Sequence, residues 1–223
     1  MIDVKLKQML LEQGASLVGF ADLGTSPVSD EPELKYAVSI IVKLSDSVLR
    51  SIKDRPSISY FQHYRAVNYK LDQLALSCVK YLEDSGYDAF PIAASQSIPT
   101  NKYYGIFQHK TVARLAGLGY IGKNSLLITE EYGSKVRLCT VLTNLPLQAD
   151  RPIISKDCGG CVVCKNACPT CAIYGENFNP DCADKELFDK EKCSRHMKTY
   201  NDVGRGSVCG LCIKACPCNK LSK

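Results

Sequence analysis

No stretch of the 223 residues approaches the roughly 18–20 consecutive apolar side chains that a membrane-spanning helix needs. The longest apolar run, YAVSIIVKL, is only strand length. The opening MIDVKLKQMLLEQG scatters charged side chains among its apolar positions, so it lacks the uninterrupted core of a secretory signal. These two absences lead to the expectation of a cytoplasmic protein without membrane contact. In that compartment clustered cysteines are more often metal ligands or catalytic groups than disulfides. Internal repeats and low-complexity segments are also missing. Cysteine is nearly absent from residues 1–150, which hold only Cys78 and Cys139, and carboxylates are absent between Asp88 and Glu130. Histidine occurs three times, at His63, His109 and His196, with no spacing that makes a metal site, so each is expected to be a packing or surface residue.

What is present is concentrated at the other end. Eleven of the thirteen cysteines fall in residues 151–223. A chain of this length buries a core without covalent staples, and an odd number of thiols cannot pair completely within one chain. The change in composition at Arg151-Pro152 therefore reads as a domain boundary, with an α/β domain over 1–150 and a cysteine module over 151–223. The module carries twelve basic and eight acidic side chains, a charge of +4. A basic segment suits nucleic acid. It equally suits two 4Fe–4S cores held by thiolates, each of which carries about −2 when oxidised.

Along the first part, residues 3–13 place apolar side chains on one helical face, with Gly14 as the stop. ASLVGFADL and AVSIIVKL read as strands, and Asp54-Arg55-Pro56 as a turn before a long helix over about 59–84. YDAFPIA reads as a strand, HKTVARLA as a helix, and VRLCTVLTNLPL as a last strand after the glycine-rich GLGYIGKNSLLI. Strands alternating with helices indicate an α/β or α+β sandwich. Beyond Ile154 apolar periodicity collapses, and cysteine spacing becomes the organising signal.

Cys158, Cys161, Cys164 and Cys168, followed by Pro169, form C-x2-C-x2-C-x3-C-P, the run of bacterial ferredoxins. The first three thiolates wrap a tight loop round one cube, and the fourth starts a helix that points away toward a second cube. Gly159 and Gly160 are expected to let the backbone approach the cluster and aim N–H groups at its sulfurs. Cys209, Cys212 and Cys216, followed by Pro217, repeat the pattern without its first member, because position 206 is glycine. Cluster one is expected to take Cys158, Cys161, Cys164 and Cys216. Cluster two takes Cys168, Cys209, Cys212 and a fourth thiol, for which Cys193 and Cys182 are the candidates, Cys193 preferred. Zinc sites favour paired C-x2–4-C, so three cysteines at two-residue gaps serve zinc poorly. Cys171, Cys182 and Cys218 exceed the eight thiols required and read as packed or incidental.

The opening LLEQGASLVGFADL, the central AGLGYIGKNSLLITEEYGS running into VRLCTVLTNLPL, and the cysteine module together resemble the epoxyqueuosine reductase family, related to the corrinoid-dependent reductive dehalogenases. The resemblance covers nearly the whole chain. It implies a nitroreductase-like, cobalamin-binding α/β sandwich followed by a bacterial-ferredoxin-like module with two 4Fe–4S clusters. It also favours Cys193, within Lys192-Cys193-Ser194, over Cys182 as the remote ligand. By position, Gly119, Tyr120, Gly122, Lys123, Asn124 and Ser125 would face the corrinoid, and Arg195 would meet it from the cluster side. The same glycine-rich stretch also reads as a tight turn with no ligand.

Two departures bear on the activity. The aspartate proton donor of the tRNA-acting members falls at Tyr103 here, so either Tyr103, Tyr104 or His109 would have to supply the proton, or the chemistry differs. The chain also ends seven residues after Cys216, without helical repeats, so tRNA is not the expected substrate. The leading expectation is a reductase whose clusters feed a corrinoid that reduces a small molecule, supplied by a donor such as ferredoxin or flavodoxin. The alternatives are an electron carrier that reduces a partner corrinoid or redox protein, and a flavin-binding variant of the same sandwich.

Overall fold

The computed structural model describes residues 2–28, 30–96, 103, 105–153, 156–182, 185–204 and 208–220. By contact, the chain divides into two compact units that interleave along the sequence. The first comprises 1–43, 67–119 and 137–154; the second comprises 44–66, 120–136 and 155–223. This differs from the single break expected near residue 150. The cysteine-rich segment has little apolar periodicity from which to build a core. The second unit takes its apolar packing partly from 44–66 and 120–136, which include buried Leu49, Ile52, Tyr60 and Phe61.

The first unit is a mixed α/β structure on an antiparallel sheet. Helix α1 (Ile2–Glu12) leads into β1 (Leu17–Asp22), which pairs antiparallel with β2 (Tyr36–Lys43), Ala21 opposite Ala37. After the short α2 (Asp46–Arg50) comes α3 (Ile58–Asp84), whose residues from 67 onward belong to this unit. Strand β3 (Ala89–Ile92), helix α4 (His109–Leu115), the short strands β4 (Tyr120–Ile121) and β5 (Leu127–Ile128), and β6 (Val136–Thr143) follow. The sheet order is β1-β2-β6-β3, with β3 and β6 antiparallel and Ile92 opposite Thr140.

Period-two alternation in β6 sends its side chains to opposite faces. Thr140 bonds His109 of α4 on one face, and Cys139 contributes its S–H to the Leu71 carbonyl of α3 on the other. The sheet is thus covered by helix on both sides. Ala21, Ala37, Ile92, Val112, Ala116 and Leu142 form the core under α4. The helices and strands expected from periodicity in residues 1–150 are all found, with ends shifted by a few residues. Cys78 and Cys139 are both fully buried here as packed thiols, and burial pushes Cys78 up to about 12.

His109 is a packing residue of this unit. Its Nε2–H donates to the Ala93 carbonyl at 2.9 Å, and Nδ1 lies 2.9 Å from the Thr140 hydroxyl. Burial, with a smaller contribution from the Arg137 charge, lowers its pKa from 6.5 to about 4. The folded ring stays neutral while the unfolded ring protonates, so stability is complete above pH 6.5 and falls as pH drops toward 4. We expect the wild type to lose up to about 3 kcal/mol relative to His109→Gln across that window. Urea unfolding of both proteins at pH 7 and pH 4.5 checks this; equal losses would exclude it. A ring held neutral with both nitrogens engaged is also a poor proton donor.

Among the described residues, no helix is long and apolar enough to cross a membrane.

Candidate iron–sulfur site

The second unit holds every candidate thiol ligand and the hairpin of β4 and β5. Helix α5 (Val163–Asn166) carries Cys164 and leads into Cys168, and it packs against α7 (Leu211–Ala215), which carries Cys212 and leads into Cys216. Between them, Ala172–Tyr174 runs antiparallel to Leu187–Asp189: Ile173 bridges Phe188, Tyr174 N–H donates to Leu187, and Asp189 N–H donates to Ala172. Asp189 then caps α6 (Lys190–Met197), its carboxylate accepting from the Lys192 N–H at 2.9 Å. That pairing returns the chain to the first cysteine run and delivers Cys193 beside Cys168.

All thirteen cysteines are free thiols. The non-exposed thiols of this unit act on one another. Cys193 is pushed up to about 11 by burial and by the charges of Cys209 and Cys168. Burial and the charges of Cys209, Cys193, Cys164 and Cys168 raise Cys212. Burial also raises Cys158, opposed by the Lys123 amide and charge, with Cys218 and Cys161 adding to the rise. Cys164 is raised by burial and by Cys158 and Cys161. Cys216 reaches about 11 through burial and Cys218. Most of these effects run within Cys168, Cys193, Cys209 and Cys212 or within Cys158, Cys161, Cys164, Cys216 and Cys218, with Cys164 also acting on Cys212. Cys171 and Cys182 are exposed and stand outside both. Cys182 lies on the 3-10 turn Pro180–Cys182, where its charge acts on Lys185.

Several sulfurs already face hydrogen-bond donors. Burial opposes ionisation of Cys168, but the Thr170 hydroxyl and the amides of Thr170, Ala172 and Ile173 bring its pKa below the ordinary thiol value. The Leu211 amide serves Cys209, the Lys165 amide Cys164, and the Cys218 amide Cys216. Such donors hold sulfur in the thiolate form a metal requires and tune what is bound. Among the described residues, no three His, Cys, Asp or Glu side chains converge on one point, as the ligands of a single zinc ion do.

The hairpin sits against Cys158 and Cys218. Gly122 N–H donates to the Leu126 carbonyl and Ser125 N–H to Gly122, with Ser125 at a left-handed φ of 59°. Asn124 Oδ1 accepts from the Leu126 N–H, so this amide closes the turn. Lys123 is 6% exposed and donates from Nζ to the Gly159 carbonyl at 2.7 Å. Tyr120 reaches the Cys218 sulfur at 3.7 Å, and burial raises its pKa, reinforced by Cys218, Cys158 and Cys216. Gly119 is buried at the end of the first unit. Arg195 is exposed on α6 and paired with Glu191 at 2.9 Å. Tyr103 is an exposed turn residue of the first unit; Tyr104 and Gly206 lie outside the described residues. One expectation is corrected. The Gly159 N–H does not aim at a sulfur, because the Asp157 carboxylate accepts it at 2.6 Å, leaving the neighbouring amides to serve the thiols.

Other contributors carry no signal that composition or periodicity exposes. Asn219, 1% exposed, accepts at Oδ1 from the Ser134 N–H at 2.8 Å. The Ser134 hydroxyl lies within reach of both Asn219 Oδ1 (3.1 Å) and the Cys216 sulfur, and it has one proton to give. Buried Lys135 pairs with Asp46 at 2.5 Å. Tyr60 and Phe61 wall the module: a Cβ at Gly210 would stand 2.7 Å from the Tyr60 ring, and one at Gly204 would stand 2.2 Å from Phe61. His63 accepts from the Ser45 N–H, and His196 bonds the Tyr200 hydroxyl.

Lys123→Met keeps the buried stem but takes the ammonium from the Gly159 carbonyl. The expected cost is about 0.5–1.5 kcal/mol, the net worth of one hydrogen bond, because Gly159 is exposed and water reaches its carbonyl. Urea unfolding measures it; a change below about 0.5 kcal/mol would show that solvent replaces the ammonium.

No protein-family model matches the chain. Among solved structures, a catabolic reductive dehalogenase, NpRdhA, in complex with 3-bromo-4-hydroxybenzoic acid superposes with a TM-score of 0.76 at 22% identity, covering 96% of this chain and 31% of that one. An epoxyqueuosine reductase with a tRNA-Tyr stem loop superposes at 0.63 and 23% identity, covering 97% and 65%. The fold is therefore the one these reductases share. By sequence, the chain is 37% identical over 142 residues to the epoxyqueuosine reductase of Synechocystis sp. (56% of this chain, 46% of the relative). It is 29% identical over 236 aligned positions to the tetrachloroethene reductive dehalogenase of Desulfitobacterium hafniense (97% and 39%). The chain is thus a homologue of the epoxyqueuosine reductases and reductive dehalogenases, and it spans less than half the length of these two relatives.

Proposed function

We propose that the chain is an iron–sulfur oxidoreductase in which two 4Fe–4S clusters pass electrons to a corrinoid. In this reading residues 151–223 form the ferredoxin-like module, and residues 1–150 the nitroreductase-like part that works with the corrinoid. Cluster one takes Cys158, Cys161, Cys164 and Cys216; cluster two takes Cys168, Cys193, Cys209 and Cys212. The proposal is supported by the C-x2-C-x2-C-x3-C-P run and by the packing of α5, which carries Cys164, against α7, which carries Cys212, with Cys193 partly buried and Cys182 exposed. When bound, such clusters supply one-electron transfer at potentials set by charge, burial and hydrogen bonds to sulfur. The chain's own part is to point the amides of Lys123, Lys165, Thr170, Ala172, Leu211 and Cys218 at the sulfurs as hydrogen-bond donors, and to limit water through Tyr60 and Phe61.

The corrinoid rests on the relatives, among them a reductive dehalogenase whose structure suggests a mechanism for B12-dependent dehalogenation. The side chains expected to meet it are committed elsewhere: Lys123 to Gly159, Asn124 to Leu126, Tyr120 to Cys218 and Arg195 to Glu191. They do not present a free polar set to a corrinoid. The lack of any carboxylate between Asp88 and Glu130, together with the engaged ring of His109, favours a substrate other than epoxyqueuosine in tRNA. The same two observations support a second reading, an electron carrier for a partner corrinoid protein.

Anaerobic purification, iron and sulfide reconstitution, and an absorption spectrum with added cobalamin test the proposal. About eight irons and eight labile sulfides with stoichiometric cobalt support the reductase. The same iron without cobalt or flavin supports the carrier, and a flavin spectrum supports a flavin variant. Zinc, or about four irons, overturns the two-cluster reading.

A further inference from the structure

Helix α5 carries a small apolar surface beside thiols assigned to both clusters. We propose that this surface, made of Val162, Val163, Lys165 and Tyr174, docks a small acidic one-electron carrier protein that reduces the clusters. The inference rests on the two-cluster reading above and names the partner of that same site.

The geometry lies within the second unit. Val162 precedes α5 and Val163 opens it, and they are 39% and 43% exposed although they stand between Cys161 and Cys164. The Asn166 N–H bonds the Val162 carbonyl, so one short turn carries both valines and Lys165. The segment from Tyr174 to Asn177 runs beside that turn. Asn177 donates to the Asp157 carboxylate at 3.1 Å, and a Cβ on Gly175 would stand 2.8 Å from Cδ of Lys165. Tyr174, 43% exposed, is held by its N–H on the Leu187 carbonyl at 3.1 Å. Two residues earlier, the Ala172 N–H donates to the Cys168 sulfur at 3.4 Å. The surface therefore covers the turn that joins Cys164, assigned to cluster one, to Cys168, assigned to cluster two.

Apolar side chains at the middle with charge at the edge are the make-up of a protein contact. Electron-transfer encounters need only a small one, below about 1,200 Å². Charge selects the partner. Between residues 156 and 195, Lys156 pairs with Glu130, Lys185 with Glu176, Lys190 with Glu186, Lys192 with Asp189 and Arg195 with Glu191. Among the described residues, Lys165 is the basic side chain of that stretch with no carboxylate partner. Lys214, on the α7 helix that packs against α5, has none either. Glu176, the acid next to Gly175, is the one that Lys185 neutralises at 2.6 Å. An unpaired positive edge round an apolar centre suits a carrier that presents carboxylates around its own redox group. The carrier is oxidised by one electron and one cluster is reduced by one; no bond forms or breaks.

The test mixes the full chain, reconstituted anaerobically, with reduced flavodoxin as the acidic carrier or with dithionite as a small-molecule control, by stopped flow. Lys165→Glu should keep about eight irons and its dithionite rate. Its reduction by flavodoxin should slow about tenfold at low salt, a loss that fades as salt screens the charge. Lys198→Glu, at the exposed cap of α6, changes net charge equally and should slow flavodoxin less than about twofold. Val163→Ser should slow flavodoxin about threefold at low and high salt alike, because it removes apolar contact and no charge. A Lys165→Glu variant as fast as the wild type overturns the inference, as does an equal loss in Lys198→Glu. So does a wild type that dithionite reduces and flavodoxin does not. With about eight irons in the wild type, any of these results overturns this inference alone. Fewer irons overturn the two-cluster reading and this inference with it.

Discussion

Cys193→Ala is expected to leave about four irons per chain after anaerobic reconstitution, and Cys182→Ala about eight. The two cysteines are eleven residues apart in the same linker, and either could supply the thiol missing at position 206. Their surroundings differ. Cys193 follows the capped start of α6, its N–H bonded to the Asp189 carbonyl, and Cys168 and Cys209 act directly on its thiol. Cys182 is exposed on a 3-10 turn, next to Lys185. Removing one of four ligands opens an iron to solvent and commonly loses the cube; removing an exposed, unbound thiol changes neither. Counting iron and labile sulfide in both variants decides the matter, and the reverse pattern would refute the assignment of cluster two. Should the module fold only around both cubes, Cys193→Ala falls to near zero iron, which leaves the contrast with Cys182→Ala intact.

Gly133→Ala is expected to cost roughly 2–5 kcal/mol and to impair loading of cluster one. A left-handed residue other than glycine pays about 1–2 kcal/mol, and Gly133 has a φ of 58°. Overpacking adds about 1–3 kcal/mol. It applies because the new Cβ would lie 2.6 Å from Asn219 Oδ1 and from the backbone carbon and oxygen of Cys218. Backbone atoms cannot rotate aside as a side chain can. Relief requires moving the 216–219 turn, which carries one ligand of cluster one and is held by Ser134. Ser134→Ala, which loses only the hydroxyl, should cost about 1 kcal/mol. Urea midpoints and iron content separate the two variants. A Gly133→Ala protein within about 0.5 kcal/mol of wild type would mean that the turn yields without cost.

The elements of residues 1–150 were legible in the sequence because they depend on local pattern. Apolar side chains at helical spacing give α1, α3 and α4; near-continuous apolar runs give β2 and β6. The hairpin of β4 and β5 was not legible. Its strands are two residues each, and its turn is closed by the Asn124 side chain rather than by an Asn-Gly or Asp-Gly pair. Helix α6 was missed for a related reason: it is eight residues long, strongly polar, and identified by its Asp189 cap rather than by an apolar face.

By itself, the order of residues determined which thiols can share a cluster. Ligand spacing in C-x2-C-x2-C-x3-C-P is a property of a short peptide, and a tight loop reaches its irons whatever surrounds it. Tertiary structure alone decided the rest. It brought Cys193 back toward the first cysteine run through the Ala172–Tyr174 pairing with Leu187–Asp189, and it left Cys182 exposed. It turned Lys123 to Gly159, and it gathered Ser134, Asn219, Tyr120 and Cys218 around Cys216. Contacts between residues 36 to 98 positions apart depend on the whole chain's packing, and no spacing in the sequence encodes them.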